Sequence, residues 1–135
     1  MIIRSLIAAS FVFSVPLFVP QSAGAQPKEV EIKPASNLDL ATYRMMSAAT
    51  FCEARARDID FEKSVVIAIA GQHHAFYVKH GGMAVGVDKK IPEDKFLGGA
   101  SFFLVGTALN ICPKAVPAAQ KEKFEKAAAS LKSSN

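Results

Sequence analysis

Three histidines and two cysteines are the residues of this chain best suited to chemistry. His73, His74 and His80 fall within eight positions. In a regular helix, residues seven apart share a face, which would align His73 with His80 and set Tyr77 between them. Imidazole is the most frequent metal ligand and changes charge near neutral pH. The trio is therefore a candidate metal or haem site. It lacks the i, i+4 histidine pair of a metal-binding helix such as H-E-x-x-H, so a further ligand such as Glu53 or Asp88 would have to come from elsewhere. The competing expectation is structural: one histidine buried and hydrogen-bonded, one exposed, and His80 closing a helix, where a cation meets the negative end of the helix dipole.

Cys52 and Cys112 are the only cysteines, so one intramolecular pairing is possible. No Cys-x-x-Cys spacing occurs, which favours a structural bridge over a redox-active or metal-bound pair. Closing a loop of about 60 residues would stabilise the fold by about 4 kcal/mol in the chain-entropy view. Signatures of catalysis are missing. Ser101 follows Gly98-Gly99-Ala100 rather than standing in G-x-S-x-G, and no strand precedes it. Gly82–Gly86 lacks both the third glycine of a dinucleotide loop and the Lys-Ser/Thr of a phosphate loop. No carboxylate is isolated in an apolar run, as a general acid would be. The expectation is a non-enzymatic protein with no catalytic residue.

The amino terminus sets the compartment. A lone charge, Arg4, precedes an uncharged stretch from Ser5 to Pro20, and Ala23-Gly24-Ala25 supplies a small-x-small site before Gln26. This is the pattern of a signal peptide over 1–25, cleaved between Ala25 and Gln26. The apolar stretch is shorter than the roughly 20 residues that span a bilayer and contains Pro16 and Pro20, so the cleaved product is not expected to be transmembrane. Removing 25 of 135 residues leaves 110, one domain's worth, and the loss of Arg4 takes the net charge from +4 to +3. Lys89, Lys90 and Lys95 form one basic group and Lys114–Lys132 another, both interleaved with acids as on a solvated face. Nucleic acid is not an expected partner. Periplasm or extracellular space is the expected location, with the thylakoid lumen as another possible destination of export.

The elements that would hold these groups are helices. Residues 26–37 hold two prolines and alternating charges and read as a flexible leader, with a single helical domain over 38–135. Leu38, Met45, Ala48, Ala49, Cys52 and Ala56 mark a stripe on a first helix near 39–57, with Asn37 or Asp39 as its cap. Asp60 caps a second helix over 61–79, whose apolar residues on every side suggest the centre of a bundle. His80-Gly81-Gly82 stops it. Met83, Val85 and Val87 alternate, as a short extended segment would. Pro92 opens a third helix, carrying Phe96, Ala100, Phe103, Thr107 and Ile111, kinked if Gly98 and Gly99 bend it and ending before Pro113. Pro117 starts a fourth, with Phe124, Ala127, Ala128 and Leu131 on one stripe. Gly71, Gly99 and Gly106 are expected where helices approach closely. The fold class is thus all-α: a small four-helix domain stapled by one disulfide.

Two resemblances follow from these residues. Phe51-Cys52-Glu53-x-Arg55, Asp60-Phe61-x-Lys63, Lys79-His80-Gly81-Gly82 and Cys112-Pro113-x₃-Pro117 together resemble a group of small exported proteins of unknown function from marine cyanobacteria. Some of these carry a class-II cyclic-AMP phosphodiesterase or metallo-β-lactamase label, whose H-x-H-x-D-H metal motif is missing here. In layout, a short exported chain with one bridge across its central helices and a lysine-rich last helix is similar to the HdeA-type periplasmic acid-stress chaperones. That resemblance implies an all-α dimer that loosens at low pH and binds unfolding clients. The function expected is that of an exported binding or interaction protein, with an HdeA-like chaperone and a metal- or haem-binding protein using His73, His74 and His80 as alternatives.

Overall fold

The computed structural model describes residues 31–133. The expected signal peptide, its Ala25/Gln26 cleavage point and the first part of the leader lie outside the described residues. Four α-helices follow in order: α1 (Asn37–Ala56), α2 (Phe61–His74), α3 (Glu93–Ile111) and α4 (Ala118–Ser133), with a wide π turn over Ala75–Lys79 and a 3₁₀ turn over Pro113–Ala115. The expected all-α domain with one disulfide is what is observed.

Local chemistry accounts for the helix ends. The α1 cap is Ser36, not Asn37 or Asp39. Its Oγ accepts from the Asp39 N–H at 3.1 Å, and the Asp39 carboxylate accepts from the Ser36 N–H at 3.0 Å, closing a reciprocal capping box. Asp39 is thus the third residue inside the helix. Asp60 caps α2 as expected, accepting from the Lys63 N–H at 2.9 Å. Pro92 occupies the cap of α3 rather than its first turn, and α3 runs unbroken through Gly98 and Gly99.

Phe51 and Phe76 are completely buried, and Leu104 nearly so, among the alanines Ala48, Ala68, Ala100 and Ala108. Small side chains let α1, α2 and α3 approach one another around these larger ones. The buried face of α1 is Ser47, Ala48, Phe51 and Ala54. Of the expected stripe, Ala48 is buried and Cys52 half-buried, while Leu38 and Met45 are turned away, 77% and 53% exposed. Phe51 carries more apolar area than either, so its burial sets the helix's rotation. Ser47 can enter the core because its hydroxyl donates to Gln72 Oε1 at 3.1 Å.

Helix α2 buries Ala68, Ile69 and Gln72, and Phe76 follows in the π turn. It is not, however, the enclosed centre of the bundle: Val66 is 68% and Ile67 48% exposed. Among the three proposed close approaches, Gly106 alone is one. A Cβ there would sit 2.9 Å from the Phe124 ring of α4, whereas at Gly71 and Gly99 it would meet nothing within 4 Å. Helix α4 buries no residue fully. It rests on α3 through Phe124, whose ring lies 4.8 Å from that of Phe102.

The carboxyl end of the expected flexible leader is docked. Ala35 is fully buried, its N–H donates to Met83 O at 2.8 Å, and its carbonyl accepts from the Val85 N–H at 2.9 Å. This short parallel bridge uses the extended segment foreseen around residues 83–87. Backbone pairing on both sides of a methyl group small enough to be enclosed outweighs the local preference of Pro34 and the charged residues for solvent.

Candidate functional site

Cys52 and Cys112 form the disulfide, with Cα atoms 6.1 Å apart. It joins the penultimate turn of α1 to the residue that ends α3. Arg55, one turn from Cys52, reinforces the same end: its guanidinium donates to Ile59 O at 2.6 Å and to Ala115 O at 3.0 Å. The bridge and the arginine together hold the α1–α2 turn against the 3₁₀ turn, a structural task.

The three histidines are separated by the π turn. In a regular α-helix, each residue advances about 100°. The wide turn over 75–79 inserts one extra residue, so His80 occupies the direction that residue 79 would otherwise take. That direction faces the core, and His80 is only 4% exposed, while His74 faces solvent. The His80 Nδ1 lies 2.7 Å from Lys33 O, which can only accept, so Nδ1 carries the proton. In the neutral ring, Nε2 then accepts from the Tyr43 hydroxyl at 2.8 Å. Lys79 donates to that hydroxyl at 3.4 Å and stands 3.6 Å from Asp39. The Tyr43 hydrogen bond, aided by the charge on Asp39, raises the Lys79 ammonium above its ordinary value. His80 is thus a cross-tie between the docked leader and α1.

His73 lies apart from this network. Its ring packs 4.7 Å from that of Tyr77 and 5.9 Å from that of Phe96, and its Nε2 is 3.5 Å from Glu93. Tyr77 donates its hydroxyl proton to Ile91 O at 2.7 Å. Burial, with the nearby charges of Glu93 and Asp94, pushes the phenol above its usual range. Among the described residues no group of three or more His, Cys, Asp or Glu side chains is gathered as a metal site requires. A metal or haem site built on His73, His74 and His80 would need His80 to surrender both hydrogen bonds and the π turn to rewind.

The concentrated unspent feature is instead the outer side of α2. Val66, Ile67, Ala70 and His74 face solvent along it, continued by Val78 in the π turn. A groove lies on each side of this ridge. Toward α1, a cavity of about 250 Å³ is lined by Met46, Ile67 and Gly71, with Ser47 and Gln72 among its polar groups. Toward α3, one of about 490 Å³ is lined by Val65, Ile69 and Leu97, with His73 and Glu93. Gly71 works here by omission, since the side chain it lacks would project into open space beside the first groove.

The Domain of unknown function (DUF8650) family matches residues 38–135. The chain belongs to this family. The match takes in both cysteines and all four helices but for Asn37, the first residue of α1, so the stapled bundle is the family's domain as this chain presents it. No curated protein and no solved structure matches the chain. No helix among the described residues is long and apolar enough to cross a membrane.

Tyr43 and Gln72 were not singled out as partners of His80 and Ser47 by sequence reasoning. Thirty-seven positions separate Tyr43 from His80 and twenty-five separate Ser47 from Gln72, and no short motif links such pairs. A polar residue on an otherwise apolar face was the one available signal, and Gln72 carried it.

Proposed function

We propose that this protein is an exported, non-enzymatic binding protein that offers the outer face of α2 and its flanking grooves to an apolar segment of another polypeptide. The observation that carries the reading is the exposure of Val66 and Ile67 side by side on a well-packed helix. A soluble surface rarely spends adjacent β-branched residues on solvent without a use for them, and a ridge between two grooves suits an amphipathic helix. Export is supported by the Cys52–Cys112 bridge, since disulfides persist in oxidising compartments, and by the signal-like amino terminus.

An environment-sensitive apolar dye tests the face directly. The parent chain is expected to bind the dye, and the Val66→Lys/Ile67→Glu variant to lose most of the signal while unfolding within about 0.5 kcal/mol of the parent. Dye binding that is absent from the parent, or equal in both, would overturn the reading.

A chaperone of the HdeA type is a second reading, favoured by the spread of exposed apolar residues over three helices: Met45 and Met46 on α1, Val66 and Ile67 on α2, and Leu97 and Phe103 on α3. It requires protection of an aggregating client that rises as pH falls. Equal protection at neutral pH, or none, counts against it.

A further inference from the structure

A third cavity, of about 170 Å³, opens between α1 and α3, away from the outer face of α2. Its apolar wall includes Leu40, Ile91 and Phe96, and Phe96 is backed by the Phe76 ring, stacked with centroids 4.8 Å apart and planes within 10°. Two cations line it, Arg44 from α1 and Lys95 from α3, and no Asp or Glu does. Among the described residues, neither cation has a carboxylate partner. The Arg44 guanidinium lies 3.9 Å over the Phe103 ring, which holds its plane while leaving its N–H edge free for an acceptor. Gln72, 7% exposed, also lines the cavity. Its Oε1 is taken by Ser47, and its amide nitrogen has no hydrogen-bond partner among the described residues.

Each element of this arrangement specifies part of a ligand. Two unpaired cations and a spare amide donor call for an anion, and a planar guanidinium edge matches a carboxylate. An apolar cavity of about 150 Å³ holds a benzene ring, so this one has room for a single ring on Phe96. We propose that the slot binds a small monocyclic aromatic carboxylate, its ring against Phe96 and its carboxylate between Arg44 and Lys95 within reach of the Gln72 amide. Gln72 lines both this slot and the groove toward α1, but the slot's cations and aromatic wall take no part in the role proposed for the α2 face.

Titration of the isotope-labelled chain with benzoate, followed by amide NMR, tests it. Benzoate is expected to shift the Gln72 side-chain amide and the Gly99 backbone amide saturably at one site per chain. Benzyl alcohol, with the ring alone, and acetate, with the carboxylate alone, should each bind at least about tenfold more weakly. Arg44→Gln/Lys95→Gln is expected to weaken benzoate by about tenfold or more. Gly99 also lines the cavity, and a Cβ there meets no atom within 4 Å beyond its chain neighbours and the adjoining helix backbone. Gly99→Leu should therefore fill the slot and abolish binding while the fold persists. The proposal is overturned if benzoate produces no saturable shift, if benzyl alcohol binds as tightly, or if Gly99→Leu still binds benzoate. Should Gly99→Leu fail to fold, undiminished binding by Arg44→Gln/Lys95→Gln overturns it instead.

Discussion

His80 shows how one side chain takes its role from partners distant in sequence. With Nδ1 donating to Lys33 O and Nε2 accepting from Tyr43, both ring nitrogens are used, and the ring is almost wholly enclosed. His80→Ala would strand the Tyr43 hydroxyl and the Lys33 carbonyl, at a cost of about 1–3 kcal/mol. Because these bonds flank the Ala35–Ala84 bridge, the expected first consequence is local. Amide exchange at Ala35 and Val85 should accelerate well before that of the α1–α3 core, as read by hydrogen-exchange NMR; unchanged exchange there would remove the cross-tie role. Gly82 is equally constrained. It has a φ of +76°, and a Cβ would lie 2.6 Å from the Tyr77 ring, so the turn after His80 requires glycine.

The helices carry their own pH dependence at their amino ends. Hydrogen bonds from Ser36 hold the Asp39 carboxylate below its ordinary 3.8, and those from Lys63 do the same for Asp60. A carboxylate whose folded value is lowered contributes stability that is complete above the unfolded value. That contribution is lost as pH falls through the lowered folded value. Acid should therefore weaken the fold below 3.8 through the caps of α1 and α2. Ser36→Ala removes the side-chain partner of Asp39. Urea unfolding is expected to show it about 1 kcal/mol less stable than the parent at neutral pH. The gap should narrow below 3.8, where the parent also loses the cap. A gap that stays constant would show that the box does not couple to Asp39 ionisation.

The whole molecule is held most firmly at one end, where the Cys52–Cys112 bridge spans 60 residues. Cys52→Ala/Cys112→Ala is expected to lose about 4 kcal/mol in urea unfolding, a large part of what a domain of this size possesses. Helix α4 stands at the other extreme, with no buried residue, and should be the first helix to exchange its amides.

Helix number, order and approximate ends were legible in the residues because caps, prolines and glycine stops act within a turn or so of the chain. The cysteine pairing was legible because two cysteines allow one answer. The rotation of α1 was not, because it depends on which side chain wins the shared core, and Phe51 entered it in place of Leu38 and Met45. Nor was the separation of His73 from His80, since one residue inserted at the π turn redirects everything after it. The exposure of Val66 and Ile67 and the slot under Arg44 and Lys95 arise between helices far apart in the chain. Local pattern specifies what each segment becomes. The competition among segments for one small core specifies which faces are left exposed.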